Sequence, residues 1–407
     1  MNAMNKIEHH IIHGSHSHFK LIDEYCLKAK NLYNYANYQI RFNNLVLFND
    51  HMNYYEIEKL VRHGNNSKFY YDLPKAQVAQ QVLKKLSENW IAFNSANRDY
   101  VIHKNKYRGR PKPPKYLKSN SRFELYFTSQ AFSFKSNRIN LGKAMNNLTI
   151  KTKHNLVKFV RICPINSFTY DIQIGYEYEQ NPRIKSNNFA AIDLGINNLA
   201  TISFTNRKPL IVNGKPIKSI NQYYNKQLAK TQSYNLPKKY IDKLALKRNN
   251  KLNDYLHKSS RFIVNQLVDS NISTLVIGYN KGWKQGAKMR KVNNQKFVQI
   301  PFLKFVNMLK YKCELAGIEV ICTSEQYTSK CSFIDKEPIE YHKNYLGNRT
   351  YRGLYESANR IKINADVNAS YNILRKYLNE AKKTNIYELV NLVEVCSTPI
   401  VYTVGIN

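Results

Sequence analysis

Two stretches decide the fold: FAAIDLGINNLAT, residues 189–201, and NADVNASYNI, residues 364–373. The first begins as a short apolar run of the kind a buried strand needs, and it reaches an acid, Asp193. A carboxylate at the tip of a buried strand is costly unless a cation or hydrogen-bond donors meet it. Gly195 permits a tight turn that leaves Asp193 facing outward. The second stretch opens a helix with Asp366 in its first turn, where Asp commonly serves as an N-terminal cap. Between them lie LATISF and PLIVNG as strands, a helical region over 218–270, and the strand TLVIG (274–278). A helix over 301–316 begun by Pro301 and the strand IEVICT (318–323) follow. Three consecutive strands, helix, strand, helix, strand, helix is the order of a ribonuclease-H-like α/β domain.

Towards the N-terminus the pattern changes. Residues 19–47 carry Leu21, Tyr25, Ala29, Leu32, Tyr33, Ala36 and Ile40 at helical spacing. A second helix follows Asp72 and Pro74, with Val78, Val82, Leu86, Trp90 and Phe93 on one side and Trp90 assigned to the core. Residues 121–180 read as short strands separated by polar turns, a small all-β module joined to the α/β domain through a linker near 181–188. The His-rich start (His9, His10, His13, His16, His18) reads as a polar terminus or first strand.

Charge narrows the function. Among 407 residues, 63 Lys and Arg face 28 Asp and Glu, a formal charge of +35 that calls for a polyanion. The excess is patterned: KNKYRGRPKPPKYLKSNSR, residues 104–122, holds eight cations and no acid, and its prolines make it a semi-rigid extended strap. Lys104, Lys106, Arg108, Arg110 and Lys112 are its candidate phosphate contacts. KGWKQGAKMRKVNNQK (281–296) is a second acid-free basic run, with Lys281, Trp283 and Lys284 as candidate contacts. The 31 Tyr residues can stack on unpaired bases. No run reaches the roughly 18 apolar residues of a membrane span. Six scattered Cys give no disulfide framework, so the expected location is a reducing cytoplasm, without a membrane.

Alone, either Asp reads as structural; together, at these two places of the strand order, Asp193 and Asp366 resemble a pair that holds divalent metal, and two hard cations ~4 Å apart need further oxygen ligands. The usual third acid in such nucleases ends the fourth strand. Here that strand ends in Gly278, and no Asp or Glu occurs from Ser270 to Cys313. The nearest acid beyond the fifth strand is Glu325, which can reach the same metals from one strand over. Glu314 and Glu319 compete, but one belongs to a helix face and the other to a strand interior. Asn364 and Asn368, flanking Asp366, read equally as supporting hydrogen-bond partners or as capping and solvated residues.

IDLGINNLAT, GYNKGWKQ, NNQKFVQIPF, EQYTSKCSFID and INADVNASYNI, in this order, resemble the OrfB/TnpB proteins of insertion sequences. YRGRPKPPKY and LPKAQVAQQVL extend the resemblance to the N-terminal half. It implies a RuvC-like nuclease over 189–325 and 364–385. It also implies a β-barrel wedge module over 1–20 and 119–183 and a helical recognition insert over 21–118. Residues 326–363 would be a degenerate target-nucleic-acid-binding insert, and 386–407 a C-terminal tail. The implied activity is RNA-guided cutting of double-stranded DNA, the protein acting as a monomer with its guide RNA. Asp193, Glu325 and Asp366 would hold two Mg²⁺ ions. Tyr327, Ser329, Lys330 and Arg352 are candidates for gripping substrate phosphate. Two departures stand out. The third acid is relocated to the Glu of an E-x-YTS motif, as in a minority branch. Where many relatives carry a four-Cys zinc ribbon, only Cys331 remains, and with His342 it supplies two of the roughly four ligands zinc needs, so no zinc is expected. One rival is a nuclease-inactive RNA-guided repressor, which should have lost carboxylates. Another is a strand-transferring transposase with a catalytic Tyr, for which His16-Ser17-His18 lacks the apolar middle residue.

Overall fold

The computed structural model describes residues 4–46, 53–178, 181–280, 295, 297–381 and 384–405. The chain divides into two compact units, residues 1–179 and 180–407.

In the first unit, β1 (Met4–His13) pairs along its whole length with the return strand from Thr169 to Tyr178, so the His-rich start is an integral strand. The helices α1 (Phe19–Val46), α2 (Tyr54–His63), α3 (Lys68–Tyr71) and α4 (Ala76–Ile102) follow it. Then come β2 (Leu125–Thr128), a three-stranded sheet of β3 (Ser133–Lys135), β4 (Arg138–Asn140) and β5 (Thr149–Lys151), and the hairpin β6 (Val157–Asn166) and β7 (Thr169–Tyr178). The larger sheet is antiparallel with order β1-β7-β6-β2. The apolar stripes of α1 (Ile22, Cys26, Ala29, Leu32, Ala36) and α4 (Val78, Val82, Leu86, Trp90) meet the inward strand residues in one core. Trp90 is 8 % exposed and its indole N–H donates to Asn37 Oδ1 at 3.0 Å, which fits the core assignment.

The basic strap lies along α1. Lys30 donates to the Ser119 carbonyl at 3.0 Å, Asn34 bridges the Leu117 N–H and C=O at 2.8 and 2.9 Å, and Asn37 donates to the Pro114 carbonyl at 3.0 Å. Arg41 also donates to Pro114, and Arg122 grips Asp23 through two bonds of 2.9 and 2.7 Å. Residues 30, 34, 37 and 41 recur at helical spacing, so one face of α1 reads out the strap's backbone. The strap departs from an extended chain at its start. Lys104–Lys106 form one 3₁₀ turn because Asp99 draws His103, Lys106 and Tyr107 towards it at 2.8, 3.5 and 2.8 Å.

The second unit is built on β8 (Phe189–Leu194), β9 (Asn198–Phe204) and β10 (Leu210–Asn213), joined by antiparallel pairing. After α5 (Lys215–Ser233) and α6 (Lys238–Asp269), β11 (Thr274–Gly278) pairs parallel with β8. Helix α7 (Phe302–Leu315) leads to β12 (Glu319–Thr323), parallel with β11. Residues 348–364 form a small sheet of β13 (Asn348–Tyr351), β14 (Leu354–Glu356) and β15 (Lys362–Asn364), and α8 (Ala365–Glu380) follows. The stretch 386–407 is more than a tail: Ile386 and Val395 pack in the core with α8, and β16 (Ile400–Tyr402) adds a parallel strand beside β10. The main sheet therefore has six strands, in the order β12-β11-β8-β9-β10-β16.

The sheet has two covered faces. Ala190, Ile192, Leu275 and Ile277 face a core shared with α6 and α7, whereas Ala191 and Val276 face one shared with α8. Small Ala191 and Gly278 let α8 come close. Truncating a large buried residue of α8 such as Tyr371, Ile373 or Leu374 to Ala should cost ~2–5 kcal/mol.

The 326–363 insert is tied to α8 by polar groups. Asn368 donates to the Cys331 carbonyl at 2.9 Å and accepts from Phe333 N–H at 2.9 Å. Asn372 donates to the Thr328 and Cys331 carbonyls at 2.9 and 2.7 Å, and Arg375 donates to Glu337 O and to Tyr387 Oη. Glu337, 2 % exposed, accepts from Ser332 and Leu346 N–H. Among the insert's aromatic and Leu residues, Tyr355 is buried, but Tyr341, Leu346 and Tyr351 are 69 %, 54 % and 67 % exposed. Amides and a guanidinium therefore hold much of the loop. Asn368 is fully buried, which removes the solvated-surface alternative for it.

Candidate active site

Asp193 stands one residue from the end of β8 and, by strand alternation, shares the face of Ala191 under α8. The turn after it is tight: a Cβ on Gly195 would lie 2.7 Å from the Asn198 carbonyl oxygen. Asp366 is the second residue of α8. Its alternative role as a cap is taken by Asn364, whose side chain accepts from the N–H groups of Asp366 and Val367 at 3.0 and 3.2 Å. The Asp366 carboxylate is thereby left for other partners. Asn198 donates to its Oδ2 at 2.8 Å, and the Arg349 guanidinium stands 3.6 Å from its Oδ1.

Glu325 lies two residues past the end of β12, and Asn280 donates to its Oε1 at 3.3 Å. The Glu325 carbonyl accepts from the Thr328 hydroxyl at 2.8 Å, closing a turn in which Tyr327 adopts a left-handed φ of +67°.

The three carboxylates share one electrostatic environment. Burial first, then the charges of Asp366 and Glu325, push the Asp193 carboxyl well above the ordinary carboxylate range, and Arg349 and the Leu194 N–H only partly oppose this. Burial pushes Glu325 up to about 7. Across the ladder from Asp193, the buried Thr201 hydroxyl has no hydrogen-bond partner. Three hard oxygen donors short of positive charge, beside an orphaned hydroxyl, suit a divalent cation such as Mg²⁺. Among the described residues, no three His, Cys, Asp or Glu side chains are gathered tightly enough to enclose an ion as they stand. The carboxylates are coupled through their field, with Arg349 supplying the nearby cation.

Sequence reasoning missed Arg349. It named Arg352, which is exposed in the turn of the same hairpin; the residue that reaches Asp366 is three positions earlier. Tyr327, Ser329 and Lys330 sit in the turn directly after Glu325, with Ser329 and Lys330 exposed. Lys104, Lys106, Arg108, Arg110 and Lys112 belong to the first unit and are exposed. Lys281, Trp283 and Lys284 lie outside the described residues. Cys331 is buried against the Glu340 carbonyl, Sγ to O 3.6 Å, and His342 Nε2 lies 2.9 Å from the Pro338 carbonyl oxygen.

Fold and site together define an α/β chain with carboxylates from a strand tip, a loop and a helix start, beside a hairpin-bearing insert. Residues 173–284 match the OrfB_IS605 family, described as probable transposase, and residues 302–373 match the Cas12f1-like TNB domain. The chain thus carries an OrfB-type segment, as its motifs indicated, followed by a Cas12f1-like one. It is 26% identical over 315 residues to the CRISPR-associated endodeoxyribonuclease Cas12f2 of Micrarchaeota archaeon (strain CG1_02_47_40). That alignment covers 73% of this chain but 54% of the relative, so the chain spans about half the length of the curated relative it matches. Two solved structures are also similar: a Cas12f1–sgRNA–target DNA complex (12% identity, 90% of this chain and 98% of that one, TM-score 0.36) and a CRISPR–Cas12f ternary complex (12%, 87% and 81%, TM-score 0.35). No helix among the described residues is long and apolar enough to cross a membrane.

Proposed function

We propose that the chain is a transposon-associated, RNA-guided DNA endonuclease that hydrolyses phosphodiester bonds with the help of divalent metal. The observation that carries this is the shared environment of Asp193, Glu325 and Asp366, with the capping role at α8 already filled by Asn364. The strand order, with β9 and β10 antiparallel on one side of β8 and β11 and β12 parallel on the other, supports a RuvC-type, RNase H-like domain. The curated relative's name as an endodeoxyribonuclease supports DNA as substrate. In this reading the first unit holds the β-barrel wedge module and the helical recognition insert, and the protein works as a monomer with its guide RNA in the cytoplasm.

Bound Mg²⁺, two ions in this reading, would help to activate a water and neutralise charge on the leaving 3′ oxygen. Asp193, Glu325 and Asp366 would be its ligands. Asn198 orients Asp366 and Asn280 orients Glu325 through the hydrogen bonds already described. Arg349, on an exposed strand beside Asp366, would hold a substrate phosphate against the carboxylates, with Tyr327, Ser329, Lys330 and Arg352 as further candidate phosphate contacts. Zinc has no part in it. The strap would supply phosphate contacts to RNA or DNA, and base pairing with the guide would choose the target.

The test is cleavage by protein purified with RNA from its own locus. Asp193→Ala and Asp366→Ala should each abolish Mg²⁺-dependent cutting under single-turnover conditions while RNA and target binding persist. Full cleavage by either variant ends the active-site assignment. A parent that binds its guided target but never cuts would mean a nuclease-inactive repressor.

A further inference from the structure

On the face of the main sheet opposite Asp193, α6, α7 and the end of β16 border an open surface cavity of about 710 Å³, a size suited to a nucleotide. Its cationic lining comes from Lys258, Arg261 and Lys312, with His257 beside them, its apolar lining includes Phe262 and Tyr402, and no acid lines it. Phe262 and Tyr402 are stacked, ring centroids 3.6 Å apart and 11° from parallel, so this wall is a fixed aromatic surface.

Lys312 is the unusual member. It is 4 % exposed, and its ammonium donates to two neutral oxygens, His257 O at 2.7 Å and Ser260 Oγ at 2.6 Å. No carboxylate among the described residues pairs with it. The acid nearest in sequence to the cationic residues of α6, Asp254, is held by Lys258 at 2.8 Å. A buried ammonium without a counter-charge is costly, and here a second cation, Arg261, adds repulsion. Burial and Arg261 together push the Lys312 amine down to about 8. Cations, a partly apolar lining and no acid form a complementary surface for an anion carrying a flat ring.

We propose that this cavity is a second binding site, for a phosphate-bearing nucleotide, with Lys312, Arg261 and Lys258 facing the phosphate and the Phe262–Tyr402 wall facing the base or sugar. The ligand is either a free nucleotide or one unit of a nucleic-acid strand. The site lies on the other face of the sheet from the carboxylates and does not depend on their role.

The experiment measures binding to the full chain by equilibrium dialysis of AMP, adenosine, inorganic phosphate and the oligoribonucleotide A5. Parent protein is compared with Arg261→Glu, an exposed change that should leave the fold intact, and Lys312→Met, which keeps the volume of a buried stem. AMP should bind with adenosine at least tenfold weaker, and each variant should weaken AMP at least tenfold. Asp193→Ala should bind AMP like the parent. A5 binding at least tenfold tighter than AMP, with the same loss in both variants, assigns the site to a strand. Equal affinity of the two assigns it to a free nucleotide. No AMP or A5 binding by the parent, or binding that Arg261→Glu leaves unchanged, overturns the proposal.

Discussion

Replacing Glu325 with Gln should remove a pH dependence of stability that the metal-free protein carries. Burial raises the Glu325 carboxyl from its ordinary 4.5 to about 7 in the folded chain. The folded state therefore binds the proton more tightly than the unfolded state. The stabilisation is complete below pH 4.5 and is lost as pH rises through 7. A rise from 4.5 to about 7 corresponds, at ~1.36 kcal/mol per pH unit, to an upper limit of about 3 kcal/mol. Gln keeps the size and hydrogen-bonding capacity of the neutral acid without its titration. In EDTA, the variant should match the parent near pH 4.5 and exceed it by up to about 3 kcal/mol above pH 7.5. Asp193 pushes in the same direction, and part of its shift comes from the Glu325 charge, so the variant's remaining pH slope should also flatten. Urea unfolding followed by circular dichroism between pH 4.5 and 8 reads this directly. Mg²⁺ added at pH 7.5 should stabilise the parent more than the variant, because it offsets a charge only the parent has. Parallel pH curves for parent and variant would refute a buried Glu325 and, with it, the third ligand.

Three further outcomes follow from the same geometry. A Cβ at position 278 would lie 2.5 Å from Ile373 Cδ1, so Gly278→Glu should not rescue cleavage by Glu325→Gln unless Ile373→Val removes that atom; rescue without it would show that the crowding is unimportant. Neutralising Lys104, Lys106, Arg108 and Arg110 should flatten the slope of log K against log salt for RNA binding by roughly 0.7–0.9 per lost contact, and an unchanged slope would make the strap a solvated linker. Elemental analysis of chelator-washed protein should find under one zinc per chain; a tightly held stoichiometric zinc would show that other residues complete a site with Cys331.

The core of the second unit was legible because its signals are local. FAAIDL reads as a short apolar run fit for a buried strand, and Asp193 and Asp366 sit near the ends of the elements so located. Asn364 was visible too, but nothing local says whether it or Asp366 caps α8; only the accepted bonds at 3.0 and 3.2 Å decide. Features built by long-range pairing stayed hidden. Arg349 and Arg352 are both Arg in one short hairpin, and which of them meets Asp366 depends on strand register. β16 has only three paired residues and joins a strand almost 200 positions earlier, so its pattern looked like a tail. The Asn368–Asn372–Arg375 row resembled an ordinary polar helix face because its partners lie in the 326–346 loop, whose fold no periodicity announces.

In the proposed site, the same register would account for the position of Glu325. Parallel pairing of Thr274 with Phe189 through Ile277 with Ile192 carries Gly278 alongside Asp193, and Gly278 in turn pairs with Thr323. An acid at 278 would be one strand from Asp193, a spacing of ~4.8 Å. That place is crowded from above: a Cβ at 278 would lie 2.5 Å from Ile373 Cδ1 of α8, so a side chain there requires Ile373 to shift. A third carboxylate of the proposed site would then come from beyond β12, a second strand spacing away. Glu325 makes up the difference in two ways, by lying two residues beyond the strand and by carrying one methylene more than Asp. Close packing of α8 at Gly278 and a glutamate on the next strand are thus two sides of one arrangement.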